Sequence, residues 1–365
     1  MPYDQKKVVE ALRAFERGEI VVVMDDDGRE NEGDLIVAAV HCTPEKMAFI
    51  VRHTSGIVCT PMLKEDARRL NLAPMVADND SAHTTAFTVS VDFKHGTTTG
   101  ISAEDRTLTV RNLANPNVGG ADFVRPGHIF PLIAREGGVL MRSGHTEAAV
   151  DLCKLAGLPP VGVISELMND DGTVMRGPQV AAFAEKNGLK QVSVADLIAY
   201  RQRQETLIER VDSFDIDTPA GKAKAITYTL PWDVMQHLAI VFGDIRDGED
   251  VPVRLHTEDV VTDVFGTSNR LADIMKTFGE CNRGVIVYLR EGSVGVSNLG
   301  RNRPSAERED HEEARRREDE WRQIGLGAQI LKDLGISSIN LVSSRERHYV
   351  GLEGFGIRIA KTEIR

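Results

Sequence analysis

Between two short apolar runs, Ile20-Val21-Val22-Val23 and Leu35-Ile36-Val37-Ala38-Ala39-Val40, lies Met24-Asp25-Asp26-Asp27-Gly28-Arg29-Glu30-Asn31-Glu32-Gly33-Asp34. Runs of this length and continuity predict buried strands, so six carboxylates and one guanidinium are confined to a loop joining two core elements. So much negative charge beside a core repels itself unless a positive charge sits among it. Hard divalent cations prefer oxygen ligands and keep some waters that a substrate can replace. An Arg in the same loop suits an anion. A solvated acidic turn explains the stretch equally well taken alone, and the rest of the chain decides between the two.

The 365 residues suggest two domains, and an apolar fraction of 41% with 27% charged residues is that of an ordinary globular protein. No apolar run approaches the roughly 20 residues needed to span a bilayer, and the first residues carry no signal-peptide core. The expectation is a cytoplasmic protein without a membrane partner. A net charge of −11 argues against nucleic acid as a partner, because phosphate contacts need a basic face. A small anionic metabolite would be captured by local Arg, His or metal charge. Cys42, Cys59, Cys153 and Cys281 show no paired spacing, so neither a disulfide framework nor a structural zinc site is indicated. Cys59 reads as a small core residue rather than a nucleophile, since no neighbouring His or Lys would lower its pKa.

Along the chain, Val8, Val9, Leu12 and Phe15 fall at helical spacing and stop at Gly18, predicting an opening amphipathic helix. Thr43-Pro44-Glu45 supplies a cap, a first-turn proline and an early acid for a helix to about His53. Residues 55–60 read as a buried strand and 87–91 as a half-buried one. Ser102-Ala103-Glu104-Asp105 is a capping box opening a helix to about Leu113. The hydroxyl-rich residues 97–102 before it suit a phosphate or polyol, or are plain turn chemistry, the reading favoured when the stretch is taken alone. Arg125-Pro126-Gly127-His128 reads as a rigid turn, and Gly144 or Thr146 as the cap of a helix ending near Gly157. A lone His is usually structural, but here two His and two Arg occupy Gly-containing turns at element ends, where functional groups gather. Residues 161–167 form a near-continuous apolar strand with Glu166 near its end, placed either to exchange protons or simply to meet solvent.

Taken together, Arg29-Glu30-Asn31-Glu32-Gly33-Asp34, Ser55-Gly56-Ile57-Val58-Cys59, Arg125-Pro126-Gly127-His128, Gly144-His145-Thr146-Glu147 and Asn169-Asp170-Asp171-Gly172 closely resemble 3,4-dihydroxy-2-butanone 4-phosphate synthase of riboflavin biosynthesis. The resemblance covers about residues 1 to 203. It departs at Gly28, where the family commonly carries an acid, and at Ser143, where a smaller residue is usual. It implies an α+β domain, a mixed sheet flanked by helices, that converts D-ribulose 5-phosphate to L-3,4-dihydroxy-2-butanone 4-phosphate and formate with Mg²⁺ or Mn²⁺. By the same resemblance Glu30 and His145 would hold the metal. Arg29, Glu30, Asp34, Arg142, Ser143, Gly144, His145, Thr146 and Glu166 would contact the sugar phosphate, and His128 and Glu166 would carry the proton transfers. A homodimer is implied, and contact of Cys59 or Thr107 with substrate is left open.

The second half, with a boundary placed at 205/206, resembles an α/β GTP cyclohydrolase II domain through Val253-Arg254-Leu255-His256-Thr257-Glu258, Asp263-Val264-Phe265-Gly266, Tyr288-Leu289-Arg290 and Gly327-Ala328-Gln329-Ile330-Leu331. The polar residues 212–220 read as linker. That family holds a catalytic zinc with three cysteines. Here the first position is Asp259, the Cys-x-Cys pair after Gly266 is missing, and Cys281 is alone. One thiolate is too few to hold a zinc that activates water. The expectation is therefore domain 1–205 as synthase and domain 206–365 as a fold-retaining partner without zinc and without GTP hydrolysis. A regulatory nucleotide- or flavin-binding module is an alternative, and so is a bifunctional enzyme, against which the missing cysteines count. The Gly-rich basic run of active members has become residues 291–296, and residues 301–322 are a dense charge run that reads as a solvated helix.

Overall fold

The computed structural model describes residues 5–25, 31–81, 85–265, 270–290, 325–343, 352 and 356–364. The chain divides into two compact units, Met1–Tyr200 and Arg201–Arg365.

The first unit is built on a seven-stranded mixed sheet. Its strands are β1 (Val21–Met24), β2 (Gly33–Ala38), β3 (Cys59–Met62), β4 (Val91–Phe93), β5 (Phe123–Ile133), β6 (Gly162–Glu166) and β7 (Lys190–Ser193), in the order β4-β5-β3-β6-β2-β1-β7. The central strands are apolar at successive positions because helices cover both faces. Along β2, Leu35 and Val37 point into one core with Met47 and Ile50 of α2 (Pro44–His53), Val110 and Leu113 of α4 (Ala103–Leu113) and Val180 of α6 (Pro178–Lys186). Ile36 and Ala38 point into the other, with Phe15 of α1 (Gln5–Glu16), Ala148, Ala149 and Leu152 of α5 (His145–Leu155) and Leu197 of α7 (Val194–Gln204). A short helix, α3 (Lys64–Arg69), completes the first core through Ala67. Each fully buried Leu, Ile or Val contributes roughly 1.5–3 kcal/mol. Asp34 shares the parity of Ile36, so its carboxylate lies on the α5 face.

Several local readings hold. Thr43 caps α2 by accepting from Lys46 N, and Ser102 caps α4 by accepting from Asp105 N. Three readings need correction. Arg125-Pro126-Gly127-His128 is not a turn but a bulge inside β5: Val91 pairs with Ile129 while the next residue, Asp92, pairs with Val124. The strand expected at 55–60 begins only at Cys59, because Gly56 takes φ +76° and Ser55 and Ile57 are held by side-chain hydroxyls. The strand expected over 87–91 is the three-residue β4, preceded by isolated bridges at Phe87 and Thr88.

The second unit has its own seven-stranded mixed sheet. Its strands are β8 (Glu209–Thr218), β9 (Gly221–Leu230), β10 (Asp233–Gly243), β11 (Val251–Thr257), β12 (Arg283–Leu289), β13 (Ser338–Ser343) and β14 (Arg358–Ile364), in the order β14-β13-β11-β12-β10-β9-β8. The helix α8 (Val260–Phe265) follows β11, and α9 (Arg270–Glu280) packs Ile274 and Phe278 on Phe242 and Ile286. Residues 325–333 form a further helix. The linker expected at 212–220 is instead β8 and its turn. An edge strand exposed along nearly its whole length carries no apolar run to announce it. Residues 291–296 and 301–322 lie outside the described residues.

Candidate active site

The acidic loop closes at a neck. Asp25 Oδ1 accepts Glu32 N at 2.9 Å, Asp25 N donates to Glu32 O at 3.2 Å, and Arg176 Nη2 donates to Glu32 Oε1 at 3.2 Å. Two of the six carboxylates therefore tie the loop down rather than face a ligand. Arg29 and Glu30, the expected substrate and metal contacts, lie outside the described residues. Beyond the neck β2 starts at Gly33, where a Cβ would stand 2.5 Å from Val180 Cγ1. This packing fixes the next residue, Asp34.

Asp34 is 2% exposed and pairs across the sheet with Glu166, the exposed last residue of β6. Directly paired antiparallel residues share a face, so the two carboxylates emerge together. His145 is the first residue of α5, 7% exposed, with Nδ1 3.5 Å from Asp34 Oδ1. Thr146 is buried beside it, Gly144 is the extended N-cap, and Ser143 is buried just ahead. Asp34, Glu166, His145 and Thr146 are thus gathered at one end of the sheet, against the positive end of a helix.

Arg142 is held from two sides. Its Nη1 donates to Glu147 Oε2 at 2.6 Å and its Nη2 to Thr85 Oγ1 at 3.0 Å, while Glu147, 1% exposed, also accepts Arg135 N through Oε1 at 3.0 Å. Gly144 has no side chain because the guanidinium lies over it: a Cβ there would be 2.4 Å from Arg142 Nη1.

His128 stands farther along the sheet. Phe130 pairs with Cys59, and Cys59 with Ile164, so His128 and Glu166 lie on the two strands that flank β3. Between them Ser55 N donates to Glu166 O, Ser165 Oγ to Ile57 O at 2.9 Å, and Arg106 Nη1 to Gly56 O at 3.2 Å. Cys59 is buried beside Asp34 and Glu166. Burial first, then those two negative charges, raise its thiol pKa, so it is an inert neutral thiol. Thr107 is buried within α4. The hydroxyl-rich stretch before α4 is turn chemistry: Asp105 takes Thr98 N, Thr98 Oγ1 and Gly100 N at 2.7–3.0 Å.

Two buried carboxylates escape a sequence reading. Asp92 holds His128 from 36 residues away, and Glu147 reads as an ordinary first-turn acid of α5. Among the described residues no three His, Cys, Asp or Glu side chains form a metal cage.

In the second unit, Asp263 accepts His256 Nε2 at 3.0 Å, Tyr288 OH at 2.8 Å and Asp259 N at 3.0 Å. Asp259 itself accepts Thr262 Oγ1 at 2.8 Å. Gly266 and the three residues after it lie outside the described set.

A three-layer unit with a buried Asp–His pair at a helix N-terminus, followed by a second mixed-sheet unit, defines a class of two-unit, mixed-sheet enzymes. The profile of 3,4-dihydroxy-2-butanone 4-phosphate synthase matches residues 9–200, and that of GTP cyclohydrolase II matches residues 209–363. The chain belongs to the 3,4-dihydroxy-2-butanone 4-phosphate synthase family, in the form fused to a GTP cyclohydrolase II domain, and is a lyase of riboflavin biosynthesis. It is 48% identical to the bifunctional riboflavin biosynthesis protein RIBA 1, chloroplastic, of Arabidopsis thaliana, covering 96% of this chain and 67% of that protein. It is 47% identical to the monofunctional RIBA 2, chloroplastic, of the same plant, covering 97% and 75%. Among solved structures, the two-domain 3,4-dihydroxy-2-butanone 4-phosphate synthase RibBX from A. baumannii superposes with a TM-score of 0.83 at 37% identity, covering 98% of this chain and 99% of that one. A 3,4-dihydroxy-2-butanone 4-phosphate synthase in complex with two magnesium ions reaches a TM-score of 0.53 at 48% identity, over 54% of this chain and 97% of that one. No described helix is long and apolar enough to cross a membrane.

Proposed function

We propose that residues 1–205 convert D-ribulose 5-phosphate to L-3,4-dihydroxy-2-butanone 4-phosphate and formate with Mg²⁺, and that residues 206–365 do not hydrolyse GTP. The observation that carries the first part is the buried Asp34–His145 pair beside Glu166 at the start of α5. A His whose Nδ1 faces a carboxylate is oriented to offer Nε2 to a metal, and oxygen-rich surroundings suit Mg²⁺ or Mn²⁺. Glu30 and His145 would hold the ion, which when bound stabilises developing enediolate charge.

The chain's own residues supply the rest. The reaction needs enolisation next to a carbonyl, loss of water, a carbon-skeleton shift and fragmentation. Glu166 and His128 flank the same segment and are assigned the proton movements between these steps. Arg29, Asp34, Arg142, Ser143, Gly144 and Thr146 bind and orient the sugar phosphate. The guanidinium of Arg142 is already fixed by Glu147 and Thr85, so little ordering remains when the anion arrives.

For residues 206–365 the relatives do not decide, since bifunctional and monofunctional proteins are about equally similar. Three features of the residues support the reading. Asp259 stands where the first zinc thiolate is expected, the Cys-x-Cys pair is missing, and Asp263 is taken up by three internal donors. Zinc does not fit this donor set, so a stabilising role for residues 206–365 is favoured over GTP hydrolysis. A homodimer, which rests on the family resemblance, and a cytoplasmic location, which rests on the sequence, complete the reading.

The test is Glu30→Gln and His145→Ala. Each is expected to abolish Mg²⁺-dependent formate release while the thermal unfolding midpoint stays within a few degrees of the parent. Full activity in either variant removes the metal assignment.

A further inference from the structure

The bulge in β5 is tied down residue by residue. Arg125 donates to the carbonyls of Leu70 at 2.7 Å, Gly120 at 3.1 Å and Phe123 at 3.2 Å, so its charge is used inside the fold. Gly127 N donates to Ser90 Oγ at 3.1 Å, and its Cα lies so close to β4 that a Cβ would stand 2.0 Å from the Val91 carbonyl carbon. Asp92 then grips the last residue twice: Oδ1 accepts His128 N at 2.9 Å, and Oδ2 lies 2.7 Å from His128 Nδ1. The Asp92 side chain is 9% exposed and that of His128 is 40% exposed. Behind the carboxylate is Gly100, where a Cβ would be 2.0 Å from Asp92 Oδ2 and 2.7 Å from His128 Nδ1.

An ionised carboxylate only accepts hydrogen bonds, so the neutral imidazole must carry its proton on Nδ1 and present Nε2 as a base. We propose that Asp92 is a positioning residue for the synthase reaction: with Gly100 as its backing, it fixes the orientation and tautomer of His128 so that Nε2 faces the substrate as the proton acceptor. This rests on the reading of His128 as a proton carrier. In each transfer Nε2 takes a substrate proton, the imidazolium is held by the Asp92 carboxylate, and the same proton returns from Nε2 in a later step. Asp92 is not itself protonated in the cycle. Two hydrogen bonds donated by one residue to one carboxylate also explain why the bulge exists: a regular strand would carry the His128 backbone N–H into the ladder instead of towards Asp92.

The experiment compares the full-length parent, Asp92→Asn, Gly100→Ala and His128→Gln. Steady-state kinetics use ribulose 5-phosphate and Mg²⁺, and ¹⁵N NMR of the imidazoles reads the tautomer, His128 being the signal lost in His128→Gln. An Asn amide turned to Nδ1 donates to it and moves the proton to Nε2. Asp92→Asn is therefore expected to switch the tautomer and to lower kcat by about 100-fold or more, with KM changed less than about threefold. Gly100→Ala, which displaces the carboxylate while keeping its charge, is expected to lower kcat in the same sense and stands in if Asp92→Asn does not fold. Parental kcat in Asp92→Asn, or a His128 proton still on Nδ1, overturns the proposal. If His128→Gln itself turns over normally, the reading of His128 as proton carrier fails and the proposal falls with it. An inactive His128→Gln beside a fully active Asp92→Asn removes Asp92 alone.

Discussion

Arg142 shows how one residue can serve both packing and substrate. Its guanidinium pairs with Glu147, which is 1% exposed, so Arg142→Ala would strand a buried carboxylate at a cost of about 3–5 kcal/mol and confuse lost binding with lost stability. Gly144→Ala separates the two. Residue 144 has ordinary extended dihedrals, yet the new Cβ would stand 2.4 Å from Arg142 Nη1 and push the guanidinium aside. KM for ribulose 5-phosphate is expected to rise about tenfold with kcat little changed, measured by steady-state kinetics. The buried thiols give a second prediction. Burial pushes Cys42 and Cys153 up to about 12 from the ordinary 9.0. A raised thiol pKa means that only the unfolded chain ionises above pH 9. The stability these thiols contribute is therefore whole below pH 9 and declines towards pH 12, by about 1.4 kcal/mol per pH unit per thiol. Denaturant unfolding at pH 8.5 and 10 should show this fall, and Cys42→Ala should reduce its slope. At this scale the sequence was informative where chemistry clusters locally, as around His145. It was silent where a partner is distant: Asp92 is an unremarked strand residue until the fold brings it to His128.

Legibility at the level of elements follows burial. Strands β1, β2 and β6 were evident because helices cover both their faces and their runs are mostly apolar. The edge strand β8 was read as linker because solvent on both faces leaves it polar. Pro126-Gly127 reads as a turn signal, but such residues also serve a bulge, and only the register of β4 against β5 distinguishes the two. The acidic loop, conspicuous in sequence, is divided in the fold: Asp25 and Glu32 form its neck, and Asp34 belongs to the sheet. The start of β2 depends on contact with α6 at Gly33. Gly33→Ala, with its Cβ 2.5 Å from Val180, is expected to destabilise the fold by about 1–3 kcal/mol by denaturant titration and to lower activity by shifting Asp34. Unchanged stability would mean that Val180 moves aside and that Asp34 is positioned by the sheet alone.

Over the whole molecule, two units of similar architecture have different relations to chemistry. The first keeps a buried carboxylate–imidazole pair and an anchored Arg at one end of its sheet, with His128 held by Asp92 farther along it. The second keeps the sheet of its family and is tied together by its own internal hydrogen bonds. Gln329 donates to the Gln202 and Glu205 carbonyls at 3.4 and 3.2 Å and accepts Leu207 N at 2.7 Å, and Asp333 takes Tyr228 and Arg210. Such contacts stabilise a fold independently of any reaction it carries. The central claim is therefore one active and one inactive unit. Both candidate reactions release formate, so the most direct measurement is formate production by the full-length protein with Mg²⁺ and Zn²⁺ present, given ribulose 5-phosphate in one reaction and GTP in the other. Formate from the sugar phosphate alone is the predicted result. Formate from GTP, or none from ribulose 5-phosphate, would contradict the account.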